Sequence, residues 1–143
     1  MNSLQTRVTA VPALSLPVTG SWIVLAPLLG MTGAAALMLL PRLGLGEPGA
    51  IFAAFSLGIA LIYLALIPTC EHGGGSALLM AVANIAAGFA LYDWPAALHA
   101  WLSLQTVLAA LWLLRDQNTG TRALAGLLLG LNAGAVAALG FSL

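Results

Sequence analysis

His72 and His99 are the chain's two imidazoles, and imidazoles on facing helices are a common way for a membrane bundle to hold b-type haem. Their placement opposes that use. His72 belongs to the loop Cys70-Glu71-His72-Gly73-Gly74-Gly75 between two apolar stretches, whereas His99 falls one turn inside the far end of a later stretch. The two rings are expected near opposite faces of a bilayer, ~20 Å apart, which one haem does not bridge. Cys70, Glu71 and His72 are metal-ligand types, but three adjacent residues do not converge on one ion, and the glycines after them favour a pliant loop. A single cysteine allows no internal disulfide and no all-cysteine metal site. The expectation is therefore no metal and no cofactor.

Two spellings of hydrolase motifs fail on context. His72-Gly73-Gly74-Gly75 matches a lipase oxyanion loop, and Ala54-Phe55-Ser56-Leu57-Gly58 a degenerate nucleophile elbow. An elbow needs a strand-to-helix turn above an α/β sheet, with an acid and a histidine in place. Ser56 instead sits within an apolar helical pattern. No Asp, Glu, Lys or Arg falls at the centre of any apolar stretch, which argues against a relay built on buried carboxylates. The chain is expected not to be an enzyme, since it lacks a paired, tuned acid and base at depth.

The strongly polar side chains inside the apolar stretches are Asn84, His99, Gln105 and Asn132. Such groups face a bundle interior and often mark a path or a ligand contact. His99, Ser103 and Thr106 fall within about 60° of one another on a helix and form a polar stripe. Gln105 points elsewhere, with Trp101 and Trp112. Asn84 shares a face with Gly88 four residues on. Asn84, His99, Ser103, Thr106 and Asn132 are the candidates for a polar path or a ligand contact, against the plainer reading as hydrogen bonds between helices worth about 1 kcal/mol each.

Gly126, Gly130 and Gly134 repeat at four-residue spacing and lay a flat groove along one helix face. In lipid, helices associate through close packing, so such a groove invites another backbone. The partner helix could belong to this chain, to a second copy or to another protein; within the chain Ala50, Ala54 and Gly58 form a matching small-residue row and are the expected partner, and Leu129 is expected to face lipid.

These residues are carried by five apolar stretches, Trp22 to Leu40, Ala50 to Ile67, Ala77 to Tyr92, Pro95 to Leu114 and Ala123 to Leu143. About 20 apolar residues span ~30 Å of hydrocarbon, so the chain reads as a single domain of 143 residues: an all-α, polytopic membrane protein with five transmembrane helices and short loops. Hydrophobic residues make up 62% and charged residues 6%, too little polar surface for a soluble domain of this size. Residues 1–20 read as a short tail, with Pro12 and Pro17 breaking any signal-peptide core. Pro41 and Pro68 are expected to end the first two helices and Ser76 to cap the third. Trp22, Trp94 and Trp112 fall near helix ends, where aromatic rings prefer the headgroup zone.

Formal net charge is zero, and Arg7, Arg42, Arg115 and Arg122 lie apart. That leaves no basic tract for nucleic acid. Five crossings put Arg7, Arg115 and Arg122 on one side and Arg42 on the other, which favours a cytoplasmic N-terminus and a periplasmic or extracellular C-terminus. The Ala/Gly/Leu-rich, lysine-free composition suggests a bacterial inner membrane. From Gly58 to Leu114, apolar helices punctuated by Gly88 and Pro95 resemble small bacterial membrane proteins of the acid-resistance HdeD type, over less than half the chain and with no diagnostic polar motif.

Three functions remain open from sequence. The first is a small accessory or structural subunit of a larger membrane complex, in contact with lipid and with other membrane subunits or copies of itself. The second is a channel or facilitator for a small solute, with a path near Asn84, His99 and Asn132. The third is a subunit of a respiratory or redox enzyme in which His99 contacts a cofactor or quinone.

Overall fold

The computed structural model describes residues 22–69 and 74–140. Arg7, Cys70, Glu71, His72 and Leu143 lie outside the described residues. The described chain is all-helical: α1 (Trp22–Leu39) runs into a 3-10 turn (Leu40–Leu43), followed by α2 (Pro48–Thr69), α3 (Gly74–Ala90), α4 (Pro95–Arg115) and α5 (Thr119–Gly140). Four of them, counting the turn with α1, are long and apolar enough to cross a bilayer, and α3 is a shorter apolar helix of 17 residues. At 1.5 Å per residue α3 rises about 25 Å.

Local chemistry moves several boundaries from where the residue types alone put them. Pro41 does not end the first helix. The chain continues through one 3-10 turn and stops at Gly44, whose φ of 73° lets its N–H return to Pro41 O at 3.1 Å. Pro68 lies inside α2, which closes one residue later at Thr69, where Thr69 Oγ1 donates to Leu66 O at 3.1 Å. Ser76 is an exposed residue inside α3 and not its cap, because the helix already begins at Gly74. α5 starts four residues before the expected Ala123. Asn118 makes the difference: its Oδ1 accepts the Gly120 N–H at 2.9 Å and caps the helix. Pro48 and Pro95 open α2 and α4, positions where a missing N–H costs nothing.

Residue pairings fix the directions. α2 and α3 are antiparallel, since Gly74 lies by Ile67 and Gly88 by Ser56. α4 and α5 are antiparallel, with Arg122 Nε donating to Leu113 O at one end and Gly140 beside His99 at the other. α1 and α5 run parallel, since Gly126 lies by Ile23 and Pro27 whereas Gly134 lies by Met31 and Ala34. The helices therefore alternate up and down. The end at which α2 and α4 begin carries Arg42, Glu47 and Asp93, and the opposite end carries Arg115, Asp116 and Arg122.

α5 forms the centre, packed on α1, α4 and α2, and α2 supplies the largest side chains of the core. Phe52, Phe55, Ile59, Tyr63 and Leu66 recur at helical spacing and are buried against Ala77 and Ala81 of α3, Leu98, Leu102 and Ala109 of α4, and Leu128 and Ala135 of α5. The outward faces are apolar too, with Val24, Leu28, Leu29, Leu61, Leu79 and Leu114 all exposed. Such a surface suits hydrocarbon, where apolar exposure carries no penalty.

The partner of the glycine groove differs from expectation. Gly126, Gly130 and Gly134 face α1, not α2. A Cβ on Gly126 would stand 3.1 Å from the Pro27 ring, one on Gly134 would stand 2.7 Å from Met31 O, and one on Gly130 would collide with the backbone of Pro27. α1 answers with its own small row, Ala26, Gly30 and Ala34, all buried, and a Cβ on Gly30 would come 2.6 Å from Leu127 O. Backbone thus meets backbone along the seam. Ala50 and Ala54 are exposed, and a Cβ on Gly58 would meet open space, so among the described residues the small row of α2 meets no partner helix. Leu129 is half-buried against the core instead of facing lipid.

Candidate functional site

Three polar side chains at membrane depth, Tyr63, Gln105 and Asn84, form one connected chain across three helices. Tyr63 Oη of α2 donates to Gln105 Oε1 of α4 at 3.1 Å. Gln105 Nε2 donates to Asn84 Oδ1 of α3 at 3.0 Å, and Asn84 Nδ2 donates to Ser56 O, back on α2, at 2.6 Å. Tyr63 and Gln105 are 0% exposed and Asn84 2%, so the network is shut off from both faces and from lipid. In a low-dielectric interior such bonds are strong electrostatically, and an unmade one is costly. The chain closes a loop from α2 through α4 and α3 to α2.

Gly88 lets α3 come close enough for this. A Cβ there would sit 2.7 Å from Ser56 Oγ, so Ser56 takes Gly88 against its side chain while its carbonyl takes the Asn84 amide. Its hydroxyl lies buried in a helix seam, far from any elbow. Tyr63 is held from the other side by the Trp112 ring, with centroids 5.9 Å apart.

Gln105 is not among the candidates for a polar path. It lies on the face of Trp112, away from His99, Ser103 and Thr106, as expected, and that face is the interior. The signal was present in the spacing of Leu98, Leu102, Gln105 and Ala109, all buried, an alternation of four and three that marks one inward stripe. Tyr63, also missed, follows from the same spacing on α2.

The remaining candidates do not join this network. Ser103 Oγ donates to His99 O at 2.8 Å and Thr106 Oγ1 to Leu102 O at 2.9 Å, so both hydroxyls fold back onto α4. Asn132 is fully buried, its Nδ2 donates to Leu128 O of its own helix at 2.9 Å, and its Oδ1 has no partner among the described residues. His99 is half-buried near the start of α4 and lines a cavity with Arg42 and Tyr92 that does not reach Asn84, Gln105 or Asn132. The structure therefore places Asn84, His99 and Asn132 in three separate surroundings, each closed from the others.

At the opposite end Asn118 ties two helices together. Besides capping α5 it donates from Nδ2 to Thr69 O, the end of α2, at 3.1 Å. Its own N–H is held by Asp116 Oδ1 at 3.1 Å. Among the described residues no cluster of three or more His, Cys, Asp or Glu side chains could hold a metal ion.

Comparison with known proteins gives no relative: no family model matches the chain, and no curated protein and no solved structure resembles it significantly.

Proposed function

We propose that this chain is a small accessory or structural subunit of a membrane assembly, with no turnover of its own. The observation that carries the reading is the use to which the buried polar groups are put. Tyr63, Gln105 and Asn84 satisfy one another across three helices, and Ser103 and Thr106 satisfy their own helix. A solute path needs polar groups that converge on a common open space. A catalytic site needs an acid and a base within reach of each other. The Tyr63, Gln105 and Asn84 side chains are spent on holding helices together, while the row Ala50, Ala54 and Gly58 on α2 meets no helix among the described residues and suits a neighbouring one. Its setting is a cell membrane, a bacterial inner membrane by composition.

The test has two parts. Extraction of the tagged full chain in a mild detergent is expected to recover at least one other membrane subunit in fixed ratio. The purified chain alone, reconstituted in liposomes, is expected to conduct no small solute above lipid background. Recovery of a lone, homogeneous chain whose flux is abolished by Asn84→Leu or His99→Leu would replace this reading with the channel.

A further inference from the structure

A cavity of about 440 Å³ opens at the end of the bundle where α2 and α4 begin, within the 300–1,000 Å³ range of pockets that take small molecules or a chain segment of a lipid. Its walls divide by chemistry. Met38, Phe52, Leu98 and Leu139 give an apolar inner part, and Arg42, Tyr92 and His99 give a polar part at the level of the helix ends. The His99 ring makes no hydrogen bond among the described residues, and its Nε2 lies beside Gly140 at the end of α5. Arg42 already makes another interaction, and its guanidinium carries five N–H donors. Tyr92 stacks its ring on Phe52, centroids 5.7 Å apart, which fixes one wall.

Two further features give the polar part its sign. Pro48 and Pro95, the first residues of α2 and α4, both border the cavity. The first turns of two helices thus bring the positive ends of their dipoles to the same place, while the lining amides of Ile51 and Leu98 already donate to Glu47 O and Trp94 O. Glu47 and Asp93 stand at this end of the bundle but are not among the lining residues. An arginine, an imidazole able to donate, a phenol and two helix starts make an environment for an oxyanion. The apolar inner part requires that the oxyanion carry a hydrocarbon chain.

We infer that this cavity binds an anionic amphiphile, its phosphate or carboxylate head held by Arg42 and His99 and its chain lying against Phe52, Leu98 and Leu139. Zwitterionic amphiphiles carry a cation beside the oxyanion, which Arg42 repels, and inorganic anions lack the chain. The site stands apart from the Asn84 network and holds whether or not the chain has membrane partners.

Thermal unfolding of the purified full chain in a non-ionic detergent tests this, with dioleoylphosphatidylglycerol, dioleoylphosphatidylcholine, oleate or sodium phosphate added in turn. Phosphatidylglycerol or oleate is expected to raise the midpoint, saturably and at about tenfold lower concentration than phosphatidylcholine, a ratio equal to one lost charge-assisted contact. Which of the two acts more strongly identifies the head as phosphate or carboxylate. Arg42→Gln and His99→Gln are each expected to remove most of that preference while leaving the lipid-free midpoint near wild type, and Arg115→Gln at the other end is expected to keep it. If one variant fails to fold, the other carries the test. Equal protection by phosphatidylcholine, protection by sodium phosphate alone, or a preference untouched by both variants would each overturn the assignment. So would protection by a short-chain quinone with none by either anion.

Discussion

Gln105 Nε2 donates to Asn84 Oδ1 at 3.0 Å, and this single amide pair links α3 to α4, two helices that otherwise touch little. Each amide is also committed elsewhere, Gln105 to Tyr63 and Asn84 to Ser56 O. The pair is therefore one member of a chain whose links depend on each other.

Gln105→Leu strips a partner from both Tyr63 Oη and Asn84 Oδ1. The expected loss is about 1–2 kcal/mol, between the modest value of an interhelical bond and the penalty of an orphaned buried group. Asn84→Leu should cost a similar amount, and the double variant less than the sum of the two. Unfolding in mixed detergent micelles gives all three values. Strict additivity would show that the two amides act independently.

Asn132 provides the contrast, since the same side chain at a similar depth lacks the second bond. Its Oδ1 is buried and unpaired, so Asn132→Leu removes a desolvated carbonyl and keeps a similar branched shape. The variant is expected to be neutral or more stable by up to about 1 kcal/mol. The same micelle measurement decides it. A loss as large as that of Asn84→Leu would mean that Asn132 has a partner outside the described residues.

Glycines at two places should respond with opposite sign to one methyl group. Alanine is the better helix former by about 1 kcal/mol. At Gly58 the added Cβ meets nothing, so Gly58→Ala should stabilise or be neutral. At Gly130 it would collide with the Pro27 backbone, and Gly130→Ala should destabilise by about 1–3 kcal/mol as α1 is pushed from α5. Thermal midpoints of the two variants compare them directly, and a shared sign would refute the assignment of the seam.

Hydropathy made the five helices legible because lipid imposes one length and one polarity on every crossing. Boundaries were legible only to within a few residues, because the final turn at each end depends on a particular bond, such as Asn118 to Gly120 or Gly44 to Pro41. The glycine groove could be read as a packing face, but its partner could not. Two small rows competed for it, Ala50-Ala54-Gly58 and Ala26-Gly30-Ala34, and the choice follows from which helices lie adjacent, a property of the whole bundle. Gln105 was lost for a related reason. In an apolar helix every face is hydrophobic, so the inward stripe shows only in the spacing of Leu98, Leu102 and Ala109 around it.

The parallel run of α1 and α5, read from the Gly126 to Pro27 and Gly134 to Met31 approaches, puts the starts of α1, α3 and α5 at one end. Trp22 and Gly140, the outer ends of α1 and α5, therefore lie at opposite ends of the bundle. Arg115 and Arg122 then lie at the opposite end from Arg42, and arginines collect on the cytoplasmic side. Alkaline phosphatase, active only outside the cytoplasm, should be active when fused after Leu143 or within 91–94, and inactive when fused within 116–118. Green fluorescent protein should give the complementary pattern. Inversion at every junction would leave five crossings intact and refute the charge argument. Equal phosphatase activity at 91–94 and 116–118 would refute the crossing of α4 itself, and with it the depth assigned to Gln105.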